Sequence, residues 1–257
     1  MQQADYAYRF EWGLDGLQAL APVSDVVIIV DILRFTSAVC AALESGATVL
    51  PYRWRSEDVD SFAESHGAVV AGRREDGGPS LSPTDLLSLQ PATRLVLPSP
   101  NGSTLACAAA ELGATVVMAG SLRNATATAH AAARAATAAS GHNRDGRGGV
   151  ISVIGAGERW RSASGPLRPA VEDLLGAGAI LAALDPSAAV NQPHCSPEAA
   201  AARAAFLHAR PRLFEAVLGS SSGSELLERG WEDDVATSAA LDVTDCVAVL
   251  VGNEFRA

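Results

Sequence analysis

Short apolar runs that alternate with alanine-rich helical stretches constrain this chain more than any other feature. Residues 26–30 read Val-Val-Ile-Ile-Val. A run that short, bounded by turn signals, fits a strand covered on both faces. Runs at 48–52, 69–71, 94–97, 115–119, 150–154 and 246–251 read as further strands. Residues 36–45, 56–65, 103–112, 125–139, 169–184, 197–218 and 224–229 read as helices, several opened by Ser or Pro. Such strands separated by helices predict an α/β fold with a largely parallel sheet flanked by helices. The helices of the middle third are mostly Ala, which favours helix and presents a narrow face, so they can lie close on the sheet. The Gly-rich residues 140–149 read as an exposed connection, and the Pro-containing residues 185–197 introduce a more charged, more helical C-terminal part. One domain over 1–257 is expected, with room for a small C-terminal lobe from about residue 186.

A chain of 257 residues with 48% hydrophobic side chains can bury a full core. Against 29 Asp and Glu it sets 19 cationic residues, a net charge of −10. That balance argues against a nucleic-acid backbone or an anionic membrane as partner. An anionic ligand would need a local arrangement that opposes the global field, which draws attention to single arginines in loops. Cys40, Cys107, Cys195 and Cys246 lack CxxC spacing, and the first, second and fourth sit in apolar runs as expected for buried thiols. No leader pattern and no apolar run of about 20 residues is visible, so a cytoplasmic soluble protein is predicted. Homo-oligomerisation is a fair expectation for an Ala-rich α/β enzyme.

In open parallel sheets ligands collect at the carboxyl ends of strands, where helix N-termini also present free N–H groups. Polar clusters fall at such places: Asp31, Arg34, Thr36 and Ser37; Ser99, Asn101, Gly102, Ser103 and Thr104; Ser121, Arg123 and Asn124; and Gly155 to Arg159. Asp31 would present a hard oxygen ligand or a base, with Arg34 and the Thr36/Ser37 helix start as an anion seat. The plainer alternative pairs Asp31 with Arg34 and leaves Thr36 or Ser37 as a cap. Glu172 and Asp173 open an otherwise apolar helix. There they either sit favourably at the positive end of the helix dipole, or one of them binds a divalent cation. Successive helical residues diverge by about 100°, so one of the two is expected to face a site. Asp242 and Asp245 read as an Asx-turn or cap, and Glu232 to Asp234 as a solvated turn.

Several motifs are excluded. Residues 155–160 lack the third glycine of a dinucleotide fingerprint, and no P-loop is present. The five histidines, His66, His130, His142, His194 and His208, lie away from the strand tips, which disfavours a histidine base. Asp31-Ile-Leu33 lacks the second aspartate of haloacid-dehalogenase-type phosphatases.

The order of these clusters resembles the 2-phosphosulfolactate phosphatase family, the ComB-like proteins. The resemblance rests on Val30-Asp-Ile-Leu-Arg-Phe-Thr-Ser37, Asn101-Gly-Ser103, Gly120-Ser-Leu-Arg-Asn-Ala125, Glu172-Asp-Leu-Leu-Gly-Ala-Gly-Ala179, Ser221 to Gly230 and Leu241 to Asp245, and spans about residues 9–251. It implies a ComB-like phosphatase fold and a Mg2+-dependent hydrolysis of 2-phospho-3-sulfolactate to 3-sulfolactate and phosphate, in its best-known setting a step towards coenzyme M. Read onto this chain, it implies a metal and phosphate site built from Asp31, Arg34, Asn101, Ser121, Asn124, Glu172 and Asp173, within which we expect catalytic roles for Asp31, Arg34 and Glu172 and metal ligation by Asp31, Glu172 and Asp173. Substrate contacts would come from Thr36, Ser37, Asn101, Gly102, Ser103, Ser121 and Asn124. One departure stands out. Where the family has an Ala-Gly-Glu-Arg-like segment, this chain reads Ala71-Gly-Arg-Arg-Glu-Asp-Gly-Gly78, so the acid is replaced by Arg73 or shifted to Glu75. That departure keeps two alternatives open: a different small phosphorylated acid as substrate, or a catalytically silent anion-binding homologue.

Overall fold

The computed structural model describes residues 3–53, 58–140, 149–160, 165–186 and 194–257. Most of the Gly-rich connection, the first residues of the helix predicted from 56, and residues 187–193 lie outside them. The strands are β1 (Tyr8–Trp12), β2 (Val26–Val30), β3 (Thr48–Arg53), β4 (Val69–Val70), β5 (Arg94–Ser99), β6 (Val116–Gly120), β7 (Ile151–Gly155), β8 (Glu158–Arg159), β9 (Leu167–Arg168), β10 (Ala248–Val251) and β11 (Glu254–Arg256). The helices are α1 (Gly13–Leu20), α2 (Phe35–Glu44), α3 (Val59–Ser65), α4 (Pro83–Leu86), α5 (Gly102–Glu111), α6 (Ala125–Ser140), α7 (Val171–Leu184), α8 (Pro197–Ala209), α9 (Leu213–Leu218), α10 (Ser221–Glu228) and α11 (Glu232–Ala239).

Nine strands form one sheet in the order β1-β7-β2-β6-β10-β11-β3-β5-β4. Parallel pairing joins β1, β7, β2 and β6, and separately β3, β5 and β4. Between these halves the C-terminal hairpin β10–β11 inserts antiparallel to both neighbours. The predicted parallel sheet is therefore present in two runs, and the strand expected at 246–251 is half of a hairpin. The hairpin reverses the strand sense between the halves. Adjacent strands rotate by roughly 20–25°, so the five steps from β2 to β5 accumulate about 100–125°. This coiling lets the carboxyl ends of β2 and β5 converge, and the Gly102 N–H accordingly donates to Asp31 Oδ2 at 2.9 Å.

All five residues of β2 are fully buried, and they alternate between two cores. Val26, Ile28 and Val30 pack with α6, α7 and the C-terminal helices, while Val27 and Ile29 pack with α1, α2 and α5. Burying each such side chain contributes about 1.5–3 kcal/mol. The Ala-rich α6 presents Ala125, Ala129, Ala132 and Ala136 to the sheet at helical spacing. Close approach is also built into α7, where a Cβ on Gly176 would stand 2.5 Å from Ile32 Cδ1. The glycine seats the start of α7 against the tip of β2.

Two predicted elements need correction. The helix expected over 197–218 is α8 and α9 with a 3-10 turn, Arg210–Arg212, between them, because Pro211 lacks an N–H and clashes with a preceding turn. The solvated turn expected at Glu232 to Asp234 is the first turn of α11, and Asp234 is wholly buried. Cys40 and Cys195 are buried, whereas Cys107 and Cys246 are half-buried. Burial raises all four thiols, Cys246 to about 12, which keeps them protonated near neutral pH. Among the described residues no helix is long and apolar enough to cross a membrane.

Candidate active site

Four carboxylates meet where β2, the β7–β8 turn and the N-terminus of α7 converge. Asp31 follows β2 directly. Its Oδ1 accepts from the Phe35 N–H at 3.3 Å and its Oδ2 from the Gly102 N–H, which ties the β2–α2 loop to the β5–α5 loop. A Cβ on Gly102 would lie 2.2 Å from Phe35 Cδ1 and 2.8 Å from Asp31 Oδ2, so only glycine permits this contact. Asp173 accepts from the Ile32 N–H at 2.7 Å and the Gly157 N–H at 2.8 Å. Glu172 is buried beside it, and its Oε2 has no hydrogen-bond partner among the described residues. Glu158, in β8, completes the group and accepts from the Asn101 side chain.

The electrostatics follow from burial and crowding. Desolvation, then the charges of Glu158 and Glu172, push Asp31 up to about 7 from 3.8. Asp173 is raised well above its ordinary value by desolvation, Asp31 and Glu172. Glu158 is raised mainly by burial, with Arg168 and the Asn101 hydrogen bond opposing the shift. Carboxylates brought this close disfavour ionisation unless a positive charge joins them. Glu172 and Asp173 are both turned into the group, although only one was expected to face a site. They differ in what remains free: both Asp173 oxygens hold backbone N–H groups, whereas Glu172 keeps an unsatisfied oxygen.

Arg34 does not pair with Asp31. Its Nη1 lies 2.7 Å from Asp234 Oδ2, and its guanidinium stacks 4.8 Å from the centre of the Trp231 ring. Asp234 also receives Arg74 Nη1 at 3.3 Å and the Ser82 hydroxyl at 2.5 Å. One buried carboxylate thus joins α11 to the β2–α2 loop and to two segments that precede β5. A small cavity of about 180 Å3, lined by Asp31, Arg34, Asn101 and Glu158, opens in front of the carboxylates.

The remaining predicted site residues turn away from this cleft. The Thr36 hydroxyl donates to the Asp31 carbonyl at 2.9 Å and accepts from the Asp31 N–H at 3.0 Å; Ser37 donates to the Ile32 carbonyl at 2.8 Å and Ser103 to the Leu97 carbonyl at 2.6 Å. All three are buried and brace the loops that hold Asp31. Ser121 and Asn124 form a capping box before α6, and Asn124 donates to the Cys246 carbonyl at 2.9 Å. Asp242, read as a cap, accepts from the Thr126 N–H and hydroxyl at 2.8 Å each, in the first turn of α6. Sequence reasoning left Glu158, Trp231 and Asp234 out of the site. Glu158 stood in a strand-end cluster and was findable there; Asp234 had no signal, because its partners lie far away in the chain.

The sequence profile described as 2-phosphosulpholactate phosphatase matches residues 16–253. The chain belongs to the 2-phosphosulfolactate phosphatase family. A relative from Thermus thermophilus, described as a probable 2-phosphosulfolactate phosphatase, is 32% identical over 235 residues, which is 89% of each chain. Within this phosphatase family the observed cleft joins buried carboxylates to arginines, an arrangement suited to a phosphoryl group and its counter-charges. The segment that carries Arg73 and Arg74 lies on that cleft.

Proposed function

We propose that the protein is a Mg2+-dependent phosphomonoester hydrolase whose substrate is 2-phosphosulfolactate and whose products are 3-sulfolactate and phosphate. The observation that carries this reading is the carboxylate group, which holds an unsatisfied Glu172 oxygen among the described residues and lies behind a cavity lined by Asp31, Glu158 and Arg34. Family membership supports the same chemistry. Among the described residues no three His, Cys, Asp or Glu side chains form a ready cage for a metal ion. Mg2+ is usually held by one or two carboxylates together with waters and phosphate oxygens, so Asp31 and Glu172 suffice as its protein ligands. Bound there, the cation would neutralise phosphoryl charge. Asp173 holds the Ile32 and Gly157 amides and so fixes the loops around Asp31. Arg34 donates to phosphoryl oxygens from the other side of the cavity. Glu158, raised by burial, accepts a proton from the attacking water and is oriented by Asn101.

Phosphate release from synthetic 2-phosphosulfolactate, with Mg2+ and with EDTA, tests this directly. Turnover abolished by EDTA is expected; turnover indifferent to EDTA removes the metal from the reading, and none at all removes catalysis. Stability supplies a second check. Between pH 3.8 and about 7 the folded Asp31 binds more protons than the unfolded one. The metal-free fold therefore loses stability as pH rises through that window. A cation that takes the ionised carboxylates stabilises most above it. We expect Mg2+ to raise Tm more at pH 8 than at pH 5.5, and equal increments at both would argue against ligation by Asp31.

A further inference from the structure

The cleft has a second end that the hydrolytic chemistry leaves unused. A cavity of about 730 Å3 is lined by Arg34, Arg73, Arg74, Arg229 and Trp231, and shares Arg34, Leu81 and Arg229 with the smaller cavity at Asp31. One small molecule can therefore span both. The guanidinium groups of Arg34, Arg74 and Arg229 stand 4.8, 5.8 and 5.4 Å from the centre of the Trp231 ring. Three cations gathered on one indole repel one another. Asp234 offsets Arg34 and Arg74, and Asp85 lies 3.3 Å from Arg74. Arg73 and Arg229 make no ion pair among the described residues. Glu75 and Asp76 also line this cavity, and like Arg73 and Arg229 they are exposed, so water and salt screen all four alike. Arg34 and Arg74, at 15% and 26% exposure, are screened less.

We propose that the arginine end seats a second, permanently charged group of the substrate, and that Arg73 and Arg229 determine specificity for it. In the substrate proposed above, this second group is its sulfonate or carboxylate, a few bonds from the phosphate. The phosphoryl group sits at the carboxylates and the second anion at the free guanidinium groups, which offer forked donors suited to planar or tripodal oxyanions. Such a seat also explains how a chain of net charge −10 admits a multiply anionic ligand.

The inference rests on the proposed function for the position of the phosphoryl group, so the test is a binding measurement that needs no turnover. Calorimetry would compare 3-sulfolactate with inorganic phosphate on wild type, Arg73→Ala, Arg229→Ala, the double Ala variant and Arg229→Lys. Both arginines are exposed, so the variants should fold. The expected result is that the double Ala variant loses about tenfold or more of the preference for sulfolactate over phosphate, a loss that Arg229→Lys only partly shows. An unchanged preference in the double variant, or no sulfolactate binding to wild type, overturns the seat. Sulfolactate binding that depends on these arginines, in a protein that releases no phosphate, keeps the seat and overturns the catalytic reading instead.

Discussion

Replacing Asp31 with Asn lowers phosphate release by at least about 100-fold while the protein still folds. Asparagine keeps the size of the side chain and one oxygen for the Phe35 or Gly102 N–H, but it cannot ionise and turns an amide NH2 towards the other donor. The unmatched donor costs about 1–3 kcal/mol, offset by removing a carboxylate that burial, then Glu158 and Glu172, push towards protonation. Net stability should change little, whereas the proposed cation loses one of its two carboxylate ligands and with it the means to neutralise the phosphoryl group. The check is a rate assay beside melting curves with and without Mg2+, and the metal-dependent rise in Tm should vanish with activity. A variant that keeps more than a tenth of the wild-type rate would exclude Asp31 from the chemistry.

Asp234→Ala is expected to cost about 2–3 kcal/mol of stability and at least tenfold in turnover. Breaking a buried ion pair by removing one partner costs about 3–5 kcal/mol, because the other charge is left uncompensated. The partial exposure of Arg34 and Arg74 reduces that figure. For a chain of this size the loss corresponds to a fall in Tm of roughly 5–10 °C. Turnover falls because Asp234 positions Arg34, which without it is free to swing from the cavity. Asp234→Asn retains acceptors for Ser82 and one arginine and should recover part of both losses. Chemical denaturation and steady-state kinetics measure the two effects, and a change below 1 kcal/mol with unaltered turnover would show that Trp231 stacking alone places the arginine.

The alternation of apolar runs and helices made the α/β class legible, and strand-end clusters pointed to Asp31, Arg34 and Asn101. Several elements were not legible. β1 carries Arg9 and Glu11 among its aromatics, so it lacks the uniform apolarity that marked β2. The place of the hairpin in the middle of the sheet depends on pairings between residues more than a hundred positions apart, such as Ala248 with Ala119, which no local window contains.

The candidate site divides in the same way. Thr36, Ser37 and Ser103 have residue types that suit an anion seat, but their hydroxyls close loops, because a buried hydroxyl beside a free carbonyl gains most by bonding to it. Asp234 looked like a charged turn, and only the docking of α11 brings Arg34, Arg74 and Ser82 to it. By itself the sequence determined the strands, the glycines that allow close approach and the acids at the strand and helix ends, since these depend on side-chain chemistry and short-range geometry. The tertiary structure decided which acids crowd together and which arginines gather around Trp231. Charge and burial act through space, and the coiled sheet brings together groups that the chain keeps far apart.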